Sequence, residues 1–118
     1  MKKVYYLSTC DTCSRILKEL QLSDAFILQD IKSDPITTEQ IEQMRDLCDS
    51  YESLFSKRAR LYKSKGLNNK TLSEEDYKNY ILEHYTFLKR PVIIVSDKIF
   101  VGNSKKTIEA AKEVIHGK

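Results

Sequence analysis

The chain has 118 residues, enough for one domain with a real core, and its make-up of 41% hydrophobic and 31% charged residues is that of an ordinary globular protein. A net charge of +3 is too mild to imply a nucleic-acid ligand by itself, and no apolar run approaches the roughly 20 residues needed to cross a bilayer. Three cysteines, an odd number, argue against a disulfide scaffold, and Met1-Lys2-Lys3 leads into a strand-like run without a signal-peptide pattern; a reducing cytoplasm fits best.

The first element is an apolar, aromatic and β-branched run at residues 4–7, which suits a buried strand. Ser8, Thr9 and Asp11 punctuate it. Cys13, Ile16, Leu17 and Leu20 then fall on one face of a helix. Cys10 is therefore expected at or just before the helix N-terminus. The first N–H groups there lack partners and favour a thiolate over a thiol. Cys13, one turn on, is placed to attack a mixed disulfide formed at Cys10. The other readings of Cys-x-x-Cys are half a zinc site and a structural pair. Zinc would need two more ligands, and Cys48, His84 and His116 are the only further Cys and His residues, none in a paired spacing. Ser8 and Thr9 are expected to make turn hydrogen bonds, and Asp11 to act as a cap. Of Tyr5 and Tyr6, one ring is expected in the core and one near the site rim.

Residues 25–28 read as a second strand, and residues 30–35 break the pattern. The resulting strand–helix–strand unit implies parallel strands. Thr37 and Gln40 have capping-box spacing, opening a helix whose inner face is Ile41, Met44, Leu47 and Cys48. Cys48 reads as a small buried hydrophobe. Residues 50–55 suggest a short helix or turn. Residues 57–72 carry six cations, Lys57, Arg58, Arg60, Lys63, Lys65 and Lys70, and no acid. That stretch is either a solvated face or a site for an anion brought near the thiolate.

Ser73 starts another helix, with Tyr77, Ile81, Tyr85 and Leu88 continuing one face and His84, in its interior, a structural or surface residue rather than a base. Residues 92–95 and 99–102, separated by a polar turn, form a hairpin; the first of these runs is typical of a strand covered on both faces. Asn103 or Ser104 caps a last helix that packs Ile108, Ala111, Val114 and Ile115 on the sheet. The predicted fold is α/β: a four-stranded mixed sheet with flanking helices, in the thioredoxin/glutaredoxin arrangement. A single domain, 1–118, would have its core at 1–32 and 90–118 and a helical insertion at 33–89.

Tyr-x-x-x-x-Cys-x-x-Cys ending at Cys13, Arg58 in the basic stretch, and Arg90-Pro91-Val92-Ile93 ahead of Val101-Gly102 give the chain a resemblance. It resembles the arsenate reductase/Spx family of the thioredoxin-like superfamily across nearly its whole length. The resemblance implies that Cys10 is the nucleophile and that Arg90 and Arg58 cluster near it. It also implies that Pro91 follows a cis bond and faces the active cysteine. Arg60, Thr9, Thr12 and Asn103 join these as candidate anion- or substrate-binding residues. Asn103 stands where arsenate-reducing members have a third arginine, and Cys13 is a cysteine that glutathione-dependent arsenate reductases lack. The expected activity is thiol–disulfide exchange on a small thiol or protein disulfide, with no bound cofactor or metal and with glutathione or a thioredoxin/glutaredoxin system as donor. The alternative is a redox-sensing regulator that binds RNA polymerase. A monomer with no membrane or nucleic-acid partner is expected.

Overall fold

The computed structural model describes residues 1–117. Its strands are β1 (Lys2–Tyr6), β2 (Ile27–Asp30), β3 (Val92–Val95) and β4 (Lys98–Val101). Its α-helices are α1 (Asp11–Leu20), α2 (Thr38–Cys48), α3 (Arg60–Ser64), α4 (Glu74–Glu83) and α5 (Lys105–His116). The chain forms two compact units, residues 1–34 with 90–118, and residues 35–89.

The first unit holds one sheet in the order β2-β1-β3-β4. β1 runs parallel to β2 and antiparallel to β3, and β3 is antiparallel to β4, so the sheet is mixed as expected. β3 is buried at every residue, as its unbroken Val-Ile-Ile-Val run requires of a central strand. Val4 on β1 and Ile93 and Val95 on β3 form a core with Ile16 and Leu20 of α1 and Ile108 and Ala111 of α5. Leu17, Val114 and Ile115 pack on it half-buried, as does Tyr6. Tyr5, next along the strand, is 1% exposed.

β2 is displaced from its expected position. The apolar run places it at 25–28, whereas the ladder pairs Tyr5 with Gln29 and Tyr6 with Asp30. Ile27 and Leu28 are left exposed on an edge strand, while Phe26 enters the core ahead of the strand. Gln29 is buried instead, its Nε2 donating to the Asp34 carbonyl at 2.9 Å.

In the second unit both predicted helix starts form reciprocal caps: Thr37 with Gln40, and Ser73 with Asp76. Ile41 and Met44 are buried; Leu47 and Cys48 are only half-buried. The helix expected to run past residue 85 stops at Glu83. His84 turns extended, at φ −150° and ψ 131°, and its Nδ1 accepts the Thr86 N–H at 3.1 Å. His84 is thus structural, but as the breaker between α4 and a 3₁₀ turn over Tyr85–Phe87 rather than inside a helix.

Candidate active site

The sheet register brings four loops of the first unit to one end. Parallel pairing of Tyr6 with Asp30 sets the segment after β2 beside the one after β1. Antiparallel pairing of Tyr5 with Val92 sets Arg90-Pro91 against the same segment. Val92 opposite Val101 adds the turn after β4, where the Gly102 N–H donates to the Pro91 carbonyl at 3.0 Å. Gly102 has φ +94°, a conformation that its lack of a Cβ allows. The Arg90–Pro91 bond is cis and Pro91 is buried. Asn103 is exposed, and the α5 cap is Ser104, whose Oγ accepts the Thr107 N–H at 3.2 Å.

The segment after β1 is a tight turn. The Cys10 N–H donates to the Leu7 carbonyl at 3.0 Å, and Cys10 is the N-cap of α1. Asp11, expected as the cap, is instead the first helical residue, where its charge still complements the positive helix end. Thr9 is exposed and Thr12 half-buried. Cys10 is partly exposed, whereas Cys13 is fully buried, and both are free thiols.

Their environments separate their acidities. At Cys10 burial disfavours the charged form, but several effects together outweigh it and hold the thiol below its usual value. These are the Cys13 N–H and thiol, the Arg90 guanidinium, and the Thr12 N–H. The Cys10 sulfur forms no closed cap hydrogen bond, so these N–H groups act as oriented dipoles at the helix end. At Cys13 burial dominates and pushes the thiol up to about 11, with the neighbouring Cys10 adding to the rise. The partly exposed Cys10 sulfur is thus the more acidic of the two, and its buried neighbour keeps its proton at neutral pH.

Arg58 lies just ahead of α3 and Arg60 is its first residue; both belong to the second unit and are exposed. Among the described residues, no three His, Cys, Asp or Glu side chains gather as a metal site, and no helix is long and apolar enough to cross a membrane. Sequence reasoning missed Asp30. Its carboxylate accepts the Ser8 hydroxyl at 2.6 Å and the Ser8 N–H at 3.3 Å. Only the parallel pairing of β1 with β2 reveals that contact.

A four-stranded β-α-β and β-β-α sheet with a Cys-x-x-Cys at the first helix start and a cis-proline at the start of the neighbouring antiparallel strand defines a thioredoxin-like protein. Within that class the chain belongs to the ArsC family, whose sequence model matches residues 5–111. It is 27% identical over 112 residues to the global transcriptional regulator Spx 2 of Lactococcus lactis subsp. lactis (strain IL1403), covering 93% of this chain and 85% of that one. Identity to the global transcriptional regulator Spx of Bacillus subtilis (strain 168) is 26% over 110 residues, covering 92% and 84%. The fold is also that of the arsenate reductase from Vibrio cholerae, with a TM-score of 0.69 at 17% identity, over 98% of this chain and 97% of that one.

Proposed function

We propose that the chain is an arsenate reductase-like thiol–disulfide oxidoreductase working through Cys10 and Cys13. The observation that carries this reading is the division between a partly exposed, acidified Cys10 and a buried, protonated Cys13 one helical turn away. The Cys10 thiolate attacks one sulfur of a disulfide, forming a Cys10 mixed disulfide and releasing the other half as a thiolate. Cys13 then loses its proton to solvent or to the departing thiolate. Its sulfur attacks Cys10 Sγ, which expels the second thiolate and leaves a Cys10–Cys13 disulfide. Two electrons from glutathione, or from a thioredoxin or glutaredoxin, restore the dithiol. A small thiol or protein disulfide in the cytoplasm is the substrate, and the chain acts as a monomer.

Arg90 stabilises the thiolate, and Pro91 packs opposite it. Thr9, Thr12 and Asn103 border the substrate. The assignment of Arg58 and Arg60 to an anionic substrate group rests on the family resemblance. With Asn103 in place of a third arginine, the donor set for an oxyanion is one charge short, which favours a disulfide over arsenate. Intact mass tests this. Cys13→Ser protein exposed to glutathione disulfide is expected to retain a glutathione adduct on Cys10, and wild type to lose two hydrogens. Arsenate with glutathione should leave both unchanged. Absence of any adduct on Cys13→Ser would overturn the dithiol reading.

The likeness to two proteins named global transcriptional regulator Spx favours a second reading, in which the same dithiol is a switch on a regulator. Here the partner is RNA polymerase. Enrichment of polymerase from cell extract by either the oxidised or the reduced protein is the expected result of this second reading. No enrichment in either state would remove it.

A further inference from the structure

Cys10 ends a turn whose second residue, Ser8, is held from outside the turn. Asp30, the last residue of β2, accepts the Ser8 hydroxyl through Oδ2 at 2.6 Å and the Ser8 N–H through Oδ1 at 3.3 Å. The same Oδ1 accepts the Lys32 N–H at 3.2 Å, which fixes the carboxylate to its own loop. Just before Ser8, the Ile31 N–H donates to the Tyr6 carbonyl at 2.9 Å, so the sheet ladder carries on to the point where the carboxylate takes over. Two residues after Ser8, the Cys10 N–H closes the turn on Leu7 and the Cys10 carbonyl accepts the Ser14 N–H at 3.1 Å, the first bond of α1.

We propose that Asp30 is a positioning residue for the Cys10 nucleophile: through its two-point grip on Ser8 it sets the 7–10 turn, and with it the place of the Cys10 sulfur over the first N–H groups of α1. This rests on the redox role proposed for Cys10. The chain of contacts is short and one-directional. Oriented dipoles act strongly only within the first turn of a helix, so a sulfur that wanders from the helix end loses their support. Carboxylate acceptors make shorter and stronger hydrogen bonds than neutral ones, which suits a clamp at a solvent-facing loop. The Ser8 hydroxyl bond chiefly, with the Lys32 and Ser8 N–H groups adding to it against some burial, holds Asp30 below the usual carboxylate range; it is ionised wherever the thiolate is needed.

Simple charge predicts the opposite sign, which makes the role testable. A nearby carboxylate disfavours a thiolate, so removing it would by charge alone lower the Cys10 pKa. Removing a clamp should raise it. The test is the rate of Cys10 alkylation by iodoacetamide from about pH 4 to about pH 10, where thiolate content sets the rate. Peptide mass locates the label. Reduced wild type, Asp30→Ala, Asp30→Asn and Ser8→Ala are compared.

The expected result is an upward move of the Cys10 midpoint by about half a unit or more in Asp30→Ala. Ser8→Ala, which keeps the charge, should move it the same way by less. Asp30→Asn, which can still accept the Ser8 N–H, should recover part of the Asp30→Ala change. An unchanged or lowered midpoint in Asp30→Ala and Ser8→Ala overturns the proposal, even if thermal stability falls. If Asp30→Ala fails to fold, Ser8→Ala decides, since it deletes one exposed oxygen. The underlying redox role fails by a different result, continued turnover by Cys10→Ser protein.

Discussion

Cys10→Ser protein is expected to lose disulfide-reducing turnover by more than about 10³-fold, the scale seen when a covalent nucleophile is removed, while keeping wild-type far-UV circular dichroism. A serine hydroxyl at the same N-cap gains the same dipole support, but its ionisation lies far beyond what a helix end and one guanidinium can shift. The Cys13→Ser protein should behave differently, since it retains the attacking sulfur: one equivalent of leaving thiol is released and turnover then stops. This asymmetry follows from the burial difference. With Cys13 pushed up to about 11 and Cys10 held below its usual value, attack below pH 9 comes from Cys10. The wild-type rate should rise with pH as the Cys10 thiolate forms and level off at a lower pH than for an ordinary thiol. Activity in Cys10→Ser equal to wild type would place the chemistry on another thiol, with Cys13 and Cys48 the remaining cysteines.

Much of this arrangement is legible in the residues because it depends on local rules. The i, i+3, i+7 run of Cys13, Ile16 and Leu20 places the start of α1, and so places Cys10 at its cap. The Thr37–Gln40 and Ser73–Asp76 pairs are readable because a capping box spans three residues. The unbroken 92–95 run announces a central strand. Most of what fails is non-local. The position of β2 is decided by what β1 offers to pair with, so exposed Ile27 and Leu28 mislead and buried Gln29 is overlooked. The pattern Tyr77, Ile81, Tyr85, Leu88 is a good helix face, yet the chain breaks at His84, whose imidazole caps the next turn. Leu88 is then buried by bridging to Phe55, not by lying on a helix. The Asp30–Ser8 contact joins residues 22 apart and has no signature within either segment.

Phe87→Ala should be among the most destabilising single changes available, at about 3–5 kcal/mol, the range for deleting a buried aromatic ring. The ring is fully buried, lies nearly parallel to Phe55 at 5.2 Å between centroids, and is tilted against Tyr80 at 5.6 Å. Phe55 in turn meets Tyr77 at 4.9 Å and Tyr62 at 5.7 Å, so Phe87 supports a run of rings from well-separated parts of the second unit. The backbone around it is committed as well: the Phe87 carbonyl accepts the Ser56 N–H at 2.7 Å, and the Lys89 N–H donates to the Leu54 carbonyl at 2.8 Å. These bonds tie the segment in place, so it has little freedom to collapse into the space that the ring leaves. A typical domain has only about 5–15 kcal/mol in total, so the loss should be visible as a large drop in the urea midpoint. With no tryptophan and seven tyrosines in the chain, tyrosine fluorescence reports this cluster through Tyr77 and Tyr80. Phe87→Leu, which refills most of the volume, should cost less than half as much. A loss under about 1 kcal/mol for Phe87→Ala would mean that Phe55 and Tyr80 close over the void, and that the stacking seen here is replaceable.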